Sequence, residues 1–449
     1  MKLKKLLLSA ACVMTLMYVN AQKSPKRSSH SSWSKQSNVY EVNLRQYSNS
    51  GSIKDFQKHL PRLKKMGVEI LWFMPITPIG VEGRKMTADE LGSYYAVKNY
   101  QAINPEHGSL SDFKSFVKKA HKMGFKVITD WVANHSALDN HWVKQHPNFY
   151  VKDSTGKFIS PFDWSDVYKL NYKDRELRDS MIQSMRFWIR EADIDGFRCD
   201  VAEEVPADFW KECIDSLKKI KDVYMLAEGN KAWLHEAGFD QTYAWDMMHT
   251  MTELYAKKIS LKKFDSLLNA SIASFPKNAY RLYFTTNHDE NSWNGTEFEK
   301  YGDAYKTFAV FTQTIYQSVP LIYSGQEEPN KKRLKFFVKD PIQWGKYANA
   351  DFYQTLLTLR RSNPALSADA SYKRLSTSNN NAVFAYAREK DGHKVIVILN
   401  FSDKEQKFTI NDKRITGNPY NVFLYTNENI DTKHQFVIEP WGFIVYDYK

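Results

Sequence analysis

From residue 38 onward, apolar runs of strand length alternate with segments whose apolar residues recur at helical spacing. NVYEVNLRQY (38–47) reads as a strand, IKDFQKHLPRLKKMG (53–67) as a helix closed by Gly67, and EILWFMP (69–75) as the next strand. SDFKSFVKKAHKMG (111–124) predicts a second helix, capped by Ser111 and closed by Gly124, which leads into the strand KVITDWV (126–132). After an interruption the alternation resumes with a helix over 174–192, a strand over 195–200, a helix over 206–220 and a strand over 223–228. Further strands are predicted at 241–246, 281–287 and 320–324, and a last helix at 350–362. Repeated strand–helix–strand units build a parallel sheet, and a strand count of eight predicts a (β/α)8 TIM barrel over 38–135 and 173–368.

Two stretches break the pattern. Residues 136–172 are rich in Trp, Pro, Asp and Asn without helical period, and are too long for a plain loop, so a small inserted domain is expected there. Beyond the last helix the period changes to two. AVFAYA (382–387) and VIVILN (395–400), joined by a turn at Lys390-Asp391-Gly392, predict a β-hairpin inside a separate all-β sandwich domain over 369–449.

The N-terminus carries a different signal. Lys2, Lys4 and Lys5 precede an apolar run from Leu6 to Val19, and Val19-Asn20-Ala21 offers small residues for cleavage, so residues 1–21 read as a secretory signal peptide. The run is too short for a membrane span, which needs about 20 apolar residues. A secreted or periplasmic protein without an integral span in the mature chain is expected. Residues 22–37 read as a basic, Ser-rich, disordered linker. The formal net charge of +12, three lysines of which lie in the signal, invites a nucleic-acid partner, but no basic helix or zinc-ligand spacing supports one and nucleic acid is set aside. Past the signal only Cys199 and Cys213 remain, too few for a disulfide framework, although a bridge between them is open to the sequence.

Four strand-like runs end in polar clusters: DWVANH (130–135), DGFRCD (195–200), LAEGN (226–230) and TTNHDEN (285–291). They present three carboxylates, Asp200, Glu228 and Asp289, flanked by Arg198, His135 and His288. Each taken singly has an ordinary structural reading, such as an ion pair of Arg198 with Asp193 or Asp195. Their order on successive strands reverses those odds, because charged groups gathered at the C-terminal ends of barrel strands are how such an active site is built. Cleaving a glycosidic bond with retention needs a carboxylate nucleophile and a carboxylic acid about 5–5.5 Å apart. Asp200 and Glu228, on adjacent strands, suit that pair. Arg198, two residues before Asp200, shares its strand face and is expected to keep it ionised. Asp289 is left to hold sugar hydroxyls and stabilise the transition state.

These residues resemble the α-amylase family of retaining α-glucoside hydrolases, glycoside hydrolase family 13, over about residues 38–449. The matching motifs are Asp130-x3-Asn134-His135, Gly196-x-Arg198-x-Asp200, Glu228, and Asn287-His288-Asp289, with VYKLN (167–171) as a fifth. The resemblance implies a barrel with an inserted domain B and a C-terminal β-domain. It implies Asp200 as nucleophile, Glu228 as general acid/base and Asp289 as transition-state stabiliser. His135 and His288 would bond hydroxyls of the sugar being cleaved, over Tyr95 as an aromatic platform. Asn134 matches a ligand of a structural calcium ion, which Asp163 or Asp166 could assist.

The implied substrate is an α-1,4-glucan such as starch or maltodextrin. Glu203 and Glu204 stand where many amylases carry Lys-His on the leaving-group side, and VYKLN ends like the variant of cyclomaltodextrin-hydrolysing members. A transglycosylase, a cyclomaltodextrinase or neopullulanase-like enzyme and an exo-acting α-glucosidase are therefore the alternatives within the family. A non-catalytic glucan-binding or partner-holding barrel is the alternative outside it. Trp131, Trp164 and Trp188 are assigned to packing.

Overall fold

The computed structural model describes residues 30–84 and 89–448, so the signal-peptide reading and the first part of the linker lie outside the described residues. Eight parallel strands form one sheet: β1 (Val39–Val42), β2 (Ile70–Phe73), β3 (Lys126–Val132), β4 (Gly196–Asp200), β5 (Tyr224–Ala227), β6 (Gln241–Tyr243), β7 (Tyr280–Leu282) and β8 (Leu321–Tyr323). They pair in chain order, with β8 returning to β1. The ring closes between β7 and β8, where Arg281 N–H donates to Gln317 O across 2.7 Å and Leu321 N–H to Tyr283 O across 3.0 Å. The (β/α)8 barrel expected from the alternation is thus the observed fold.

Several strands are shorter than their apolar runs. The predicted strand 38–47 ends at Val42, and Leu44–Tyr47 turns into a short helix, because neighbouring β2 and β8 offer pairing partners only that far. The run 281–287 likewise leaves the sheet after Leu282. The helix predicted over 53–67 is two helices, Ile53–Gln57 and Leu60–Met66. Pro61 explains the break, since its ring cannot follow a helical turn and is tolerated only near a helix start. The next helix spans Leu110–Lys122 and is capped by Ser109, not Ser111, in a reciprocal box with Asp112. It buries Phe113, Phe116, Val117 and Ala120, each large side chain contributing about 1.5–3 kcal/mol.

After β3 the chain leaves the barrel. His135–Ala137 pairs antiparallel with Val167–Lys169, so the VYKLN segment is laced directly to His135, and the helix Arg175–Ala192 returns the chain to the ring. At the far end, a six-stranded antiparallel sheet and a two-stranded one enclose Leu375, Ile396, Ile398, Phe408 and Phe436. Its hairpin closes on two residues, Asp391 and Gly392, both with positive φ (51° and 81°), the geometry of a type I′ turn. The other face of this sheet meets the barrel, with Phe384 beside Phe264 at 5.7 Å.

The linker expectation is corrected over residues 30–37. They fold across the N-terminal end of the barrel, with Ser31 N–H donating to Asp240 Oδ1 (2.9 Å), Ser32 Oγ to Asp222 Oδ2 (2.8 Å) and Trp33 against Tyr224 (5.6 Å). Serines that signal disorder in isolation here satisfy carboxylates on the barrel floor. Among the described residues no helix is long and apolar enough to cross a membrane.

Candidate active site

The alternation of a strand decides which side chains meet inside the ring. Asp130 on β3 lies opposite Arg198 on β4 in the ladder, and Arg198 and Asp200 share one face of β4. Gly196, at the start of β4, has φ of 153°, and a Cβ there would lie 1.9 Å from Tyr224 O on β5. Only glycine lets the two strands approach so closely. Glu228 follows β5 directly, and the chain beyond β7 carries Asn287, His288 and Asp289 back over the mouth.

Arg198 is the hub. Fully buried, it donates from Nη1 to Asp130 Oδ1 (2.9 Å) and Asp200 Oδ1 (2.8 Å), while Nη2 lies 2.9 Å from Glu228 Oε2. That last contact is an ion pair by distance, without the alignment of a hydrogen bond, because Nη2 counts no hydrogen-bond partner. The rings of Trp72 and Tyr243 enclose the guanidinium at 5.1 and 5.6 Å. Asp193 and Asp195, its structural alternatives, pair instead with Lys221, Lys126 and His121.

One cation shared by three carboxylates leaves the cluster electron-rich. Burial and the Glu228 charge push Asp200 well above the usual carboxylate range, and Arg198 opposes them. Burial lifts Asp130 to about 6 against the same pull. The expectation that Arg198 simply keeps Asp200 ionised is therefore refined: its charge is divided.

Glu228 is gripped from below. Val201 N–H donates to its Oε2 across 2.7 Å and Ala202 N–H to its carbonyl across 2.9 Å. Glu203, expected on the leaving-group side, turns to accept the Asn230 N–H, and among the described residues neither it nor Glu204 lines the cavity.

A second chain of groups runs from β1. His288 Nδ1 donates to Glu41 Oε1 at 2.5 Å, and its Nε2 lies 2.8 Å from Tyr95 Oη and 3.2 Å from Asp289 Oδ2. Burial disfavours charge on His288, but Asp289 and Glu41 outweigh it and raise its pKa well above the ordinary value. His288 in turn lowers Asp289 against burial. Tyr95 O–H donates to Asp130 Oδ2 at 3.1 Å, so both chains meet at this ring. His135 is buried and pushed down to about 3, hence neutral at physiological pH.

These groups open on a cavity of about 550 Å³ lined by Tyr95, His135, Asp200, Glu228 and Asp289. Asp289 is 35 % exposed to it. The structure thus gathers the sequence-predicted residues at one mouth, with Arg198 and His288 directly behind the lining. Trp164 packs as expected, against Ala96, Ala137 and Val167, but has a second role. Trp131 and Trp188 are core residues, but Trp164 lines the cavity, its ring edge to His135 at 5.1 Å. Glu41 and the rim aromatics Trp293 and Phe336 were not legible as site residues, although a carboxylate inside the apolar run VYEV was a usable signal.

Asn134 is buried with its Nδ2 3.3 Å from His135 Nδ1, and no group of three His, Cys, Asp or Glu side chains among the described residues gathers as a metal site. Cys199 and Cys213 are free, buried thiols.

The family description "Alpha amylase, catalytic domain" matches residues 24–169 and 148–387, and "Alpha-amylase SusG C-terminal domain" matches 383–445. A cyclomaltodextrinase of Bacillus sp. is 26% identical over 78% of the chain, and the chain spans 65% of that relative's length. Among solved structures, a noncanonic maltogenic α-amylase AmyB from Thermotoga neapolitana is 29% identical with a TM-score of 0.84, covering 92% of this chain and 99% of its own. An α-amylase from Lactobacillus plantarum is 27% identical with a TM-score of 0.82, covering 92% and 99%.

Proposed function

Since the chain belongs to the α-amylase family of glycoside hydrolases, we propose that it cleaves α-1,4 bonds of maltodextrins and cyclic maltooligosaccharides with retention, Asp200 being the nucleophile. The observation that carries this reading is Arg198, in contact with both Asp200 and Glu228 at 2.8 and 2.9 Å. It sets two carboxylates side by side at one cavity, with charges that cannot both be present without cost, so the pair favours holding one proton.

In the reactive state that proton sits on Glu228. Its O–H donates to the glycosidic oxygen as the bond to the anomeric carbon breaks, and the leaving sugar departs as a free hydroxyl. Asp200 attacks the opposite face of the carbon, forming a glucosyl ester. Glu228, now a carboxylate, takes a proton from water, which displaces Asp200 and restores the original α configuration. Asp289, kept anionic by His288, accepts from hydroxyls of the same sugar and stabilises the positive charge that develops on it. Tyr95 supplies the apolar floor. His135, neutral, bonds a hydroxyl without adding charge.

Short substrates are favoured over starch granules by the chemistry of the relatives, among them the cyclomaltodextrinase and maltogenic α-amylase above. The cavity volume is also in the range that encloses a small ligand, about 300–1,000 Å³. Export is supported by Lys2, Lys4 and Lys5 followed by the apolar run from Leu6 to Val19. Incubation with maltoheptaose and β-cyclodextrin, with products resolved by chromatography over time, tests the reading. Maltose and short maltodextrins are expected. Glucose released stepwise would instead mark an α-glucosidase, and products longer than the substrate a transglycosylase. No turnover of either substrate would overturn the proposal.

A further inference from the structure

Tyr95, Phe336 and Trp293 form a continuous aromatic ramp from the base of the cavity to its rim. Tyr95 and Phe336 are nearly parallel, at 15° and 6.3 Å, and Trp293 leans on Phe336 at 5.4 Å. Trp293 is 53% exposed, a large apolar surface left in water. It is nevertheless held firmly. It sits in a π-helical turn, Glu290–Asn294, which begins immediately after Asp289. Asn291 Oδ1 accepts from Leu334 N–H (2.8 Å) and Ser292 Oγ donates to Leu334 O (2.7 Å), stitching this turn to the segment that carries Phe336. A π-helical turn is uncommon and is found mostly at functional sites. A rigid, exposed indole at the mouth of a polar cavity has the form of a binding surface.

The ramp also has a direction. It rises from the loops after β2, β7 and β8, whereas Glu228, which must face the leaving oxygen, follows β5 across the ring. A sugar seated on Tyr95 therefore extends its non-reducing neighbour toward Trp293. We propose that Trp293, backed by Phe336, is a stacking subsite for the glucosyl unit next to the one being cleaved, on its non-reducing side. This rests on the glucan-cleaving role proposed above and deepens it. The apolar face of a pyranose ring covers the indole, and the site prefers substrates with at least two units before the scissile bond. Maltose or longer is then released in preference to glucose.

The test compares the full chain with Trp293→Ala and Trp293→Phe, using 4-nitrophenyl α-glucoside, which has one glycone unit, and 4-nitrophenyl α-maltoside, which has two. The ratio of kcat/KM, maltoside over glucoside, is expected to fall about ten-fold in Trp293→Ala and to recover largely in Trp293→Phe. An unchanged ratio in Trp293→Ala would overturn the subsite. Calorimetric titration with maltotetraose separates this claim from the hydrolytic one. If the wild-type chain cleaves neither glycoside yet binds maltotetraose about ten-fold more tightly than Trp293→Ala, hydrolysis fails and the subsite stands. Equal binding by both, or none by either, would overturn it.

Discussion

Val201 donates its backbone N–H to Glu228 Oε2 across 2.7 Å from a left-handed conformation, φ 36° and ψ 48°. For a β-branched residue this region is strained by roughly 1–2 kcal/mol. The strain falls between the proposed nucleophile, Asp200, and the loop that grips the proposed acid. Val201→Gly should keep the fold and raise Tm slightly, because strain relief is partly offset by the added backbone freedom, about 0.5–1 kcal/mol. It should also lower kcat, because the donor is no longer fixed. A melting curve and a rate measurement on the same preparation check both directions.

Asp200 is held well above its ordinary value of 3.8 by burial and by Glu228. In the substrate-free protein the native side chain therefore keeps its proton at pH values where the unfolded one has lost it, and this group's contribution to stability falls as pH rises through that window. Asp200→Asn removes the penalty along with the proposed nucleophile. Turnover should vanish, and the variant should melt above the wild type at pH 7, with the gap shrinking toward pH 4. A variant that melts lower at pH 7 would mean that the Arg198–Asp200 bond outweighs the crowding of charge.

Glu41, on the first strand, orients His288 from behind, and His288 in turn keeps Asp289 anionic. Glu41→Gln weakens a buried, charge-assisted bond worth about 1.5–3 kcal/mol. Catalytic efficiency should fall roughly 10–100-fold by the same measure, with the pH profile altered on the side where His288 loses its proton. Identical profiles for both proteins would show that Glu41 serves packing alone.

At Gly196 the expected outcome is loss of the fold. A methyl group there would overlap the Tyr224 carbonyl, and the β4–β5 pairing that sets Asp200 beside Glu228 would have to open. Gly196→Ala should cost upwards of about 3 kcal/mol, read by denaturant unfolding.

The part of the site that follows strand alternation was legible in the sequence. Arg198 and Asp200 share a face because they are two residues apart, and the step of 28 residues to Glu228 is about one strand–helix–strand unit. What depends on distant pairing was not. Glu41 meets His288 across 247 residues, and Trp293 reaches Phe336 only through a π-helical turn with no periodic signature. Strand ends were overrun because the ring, not the apolar run, fixes where pairing stops. The split of the helix over 53–67 was visible in Pro61, and the order of residues 30–37 was not, since it comes from Asp222 and Asp240 on the barrel floor.

The most direct test of the central claim is to trap the covalent intermediate. In Glu228→Gln, α-maltotriosyl fluoride needs no acid to depart, while the missing base slows release, so the glycosyl–enzyme should accumulate. Peptide mapping by mass spectrometry should find the maltotriosyl mass on the peptide containing Asp200. The label on any other residue, or turnover of the fluoride with inversion of configuration, would contradict the account.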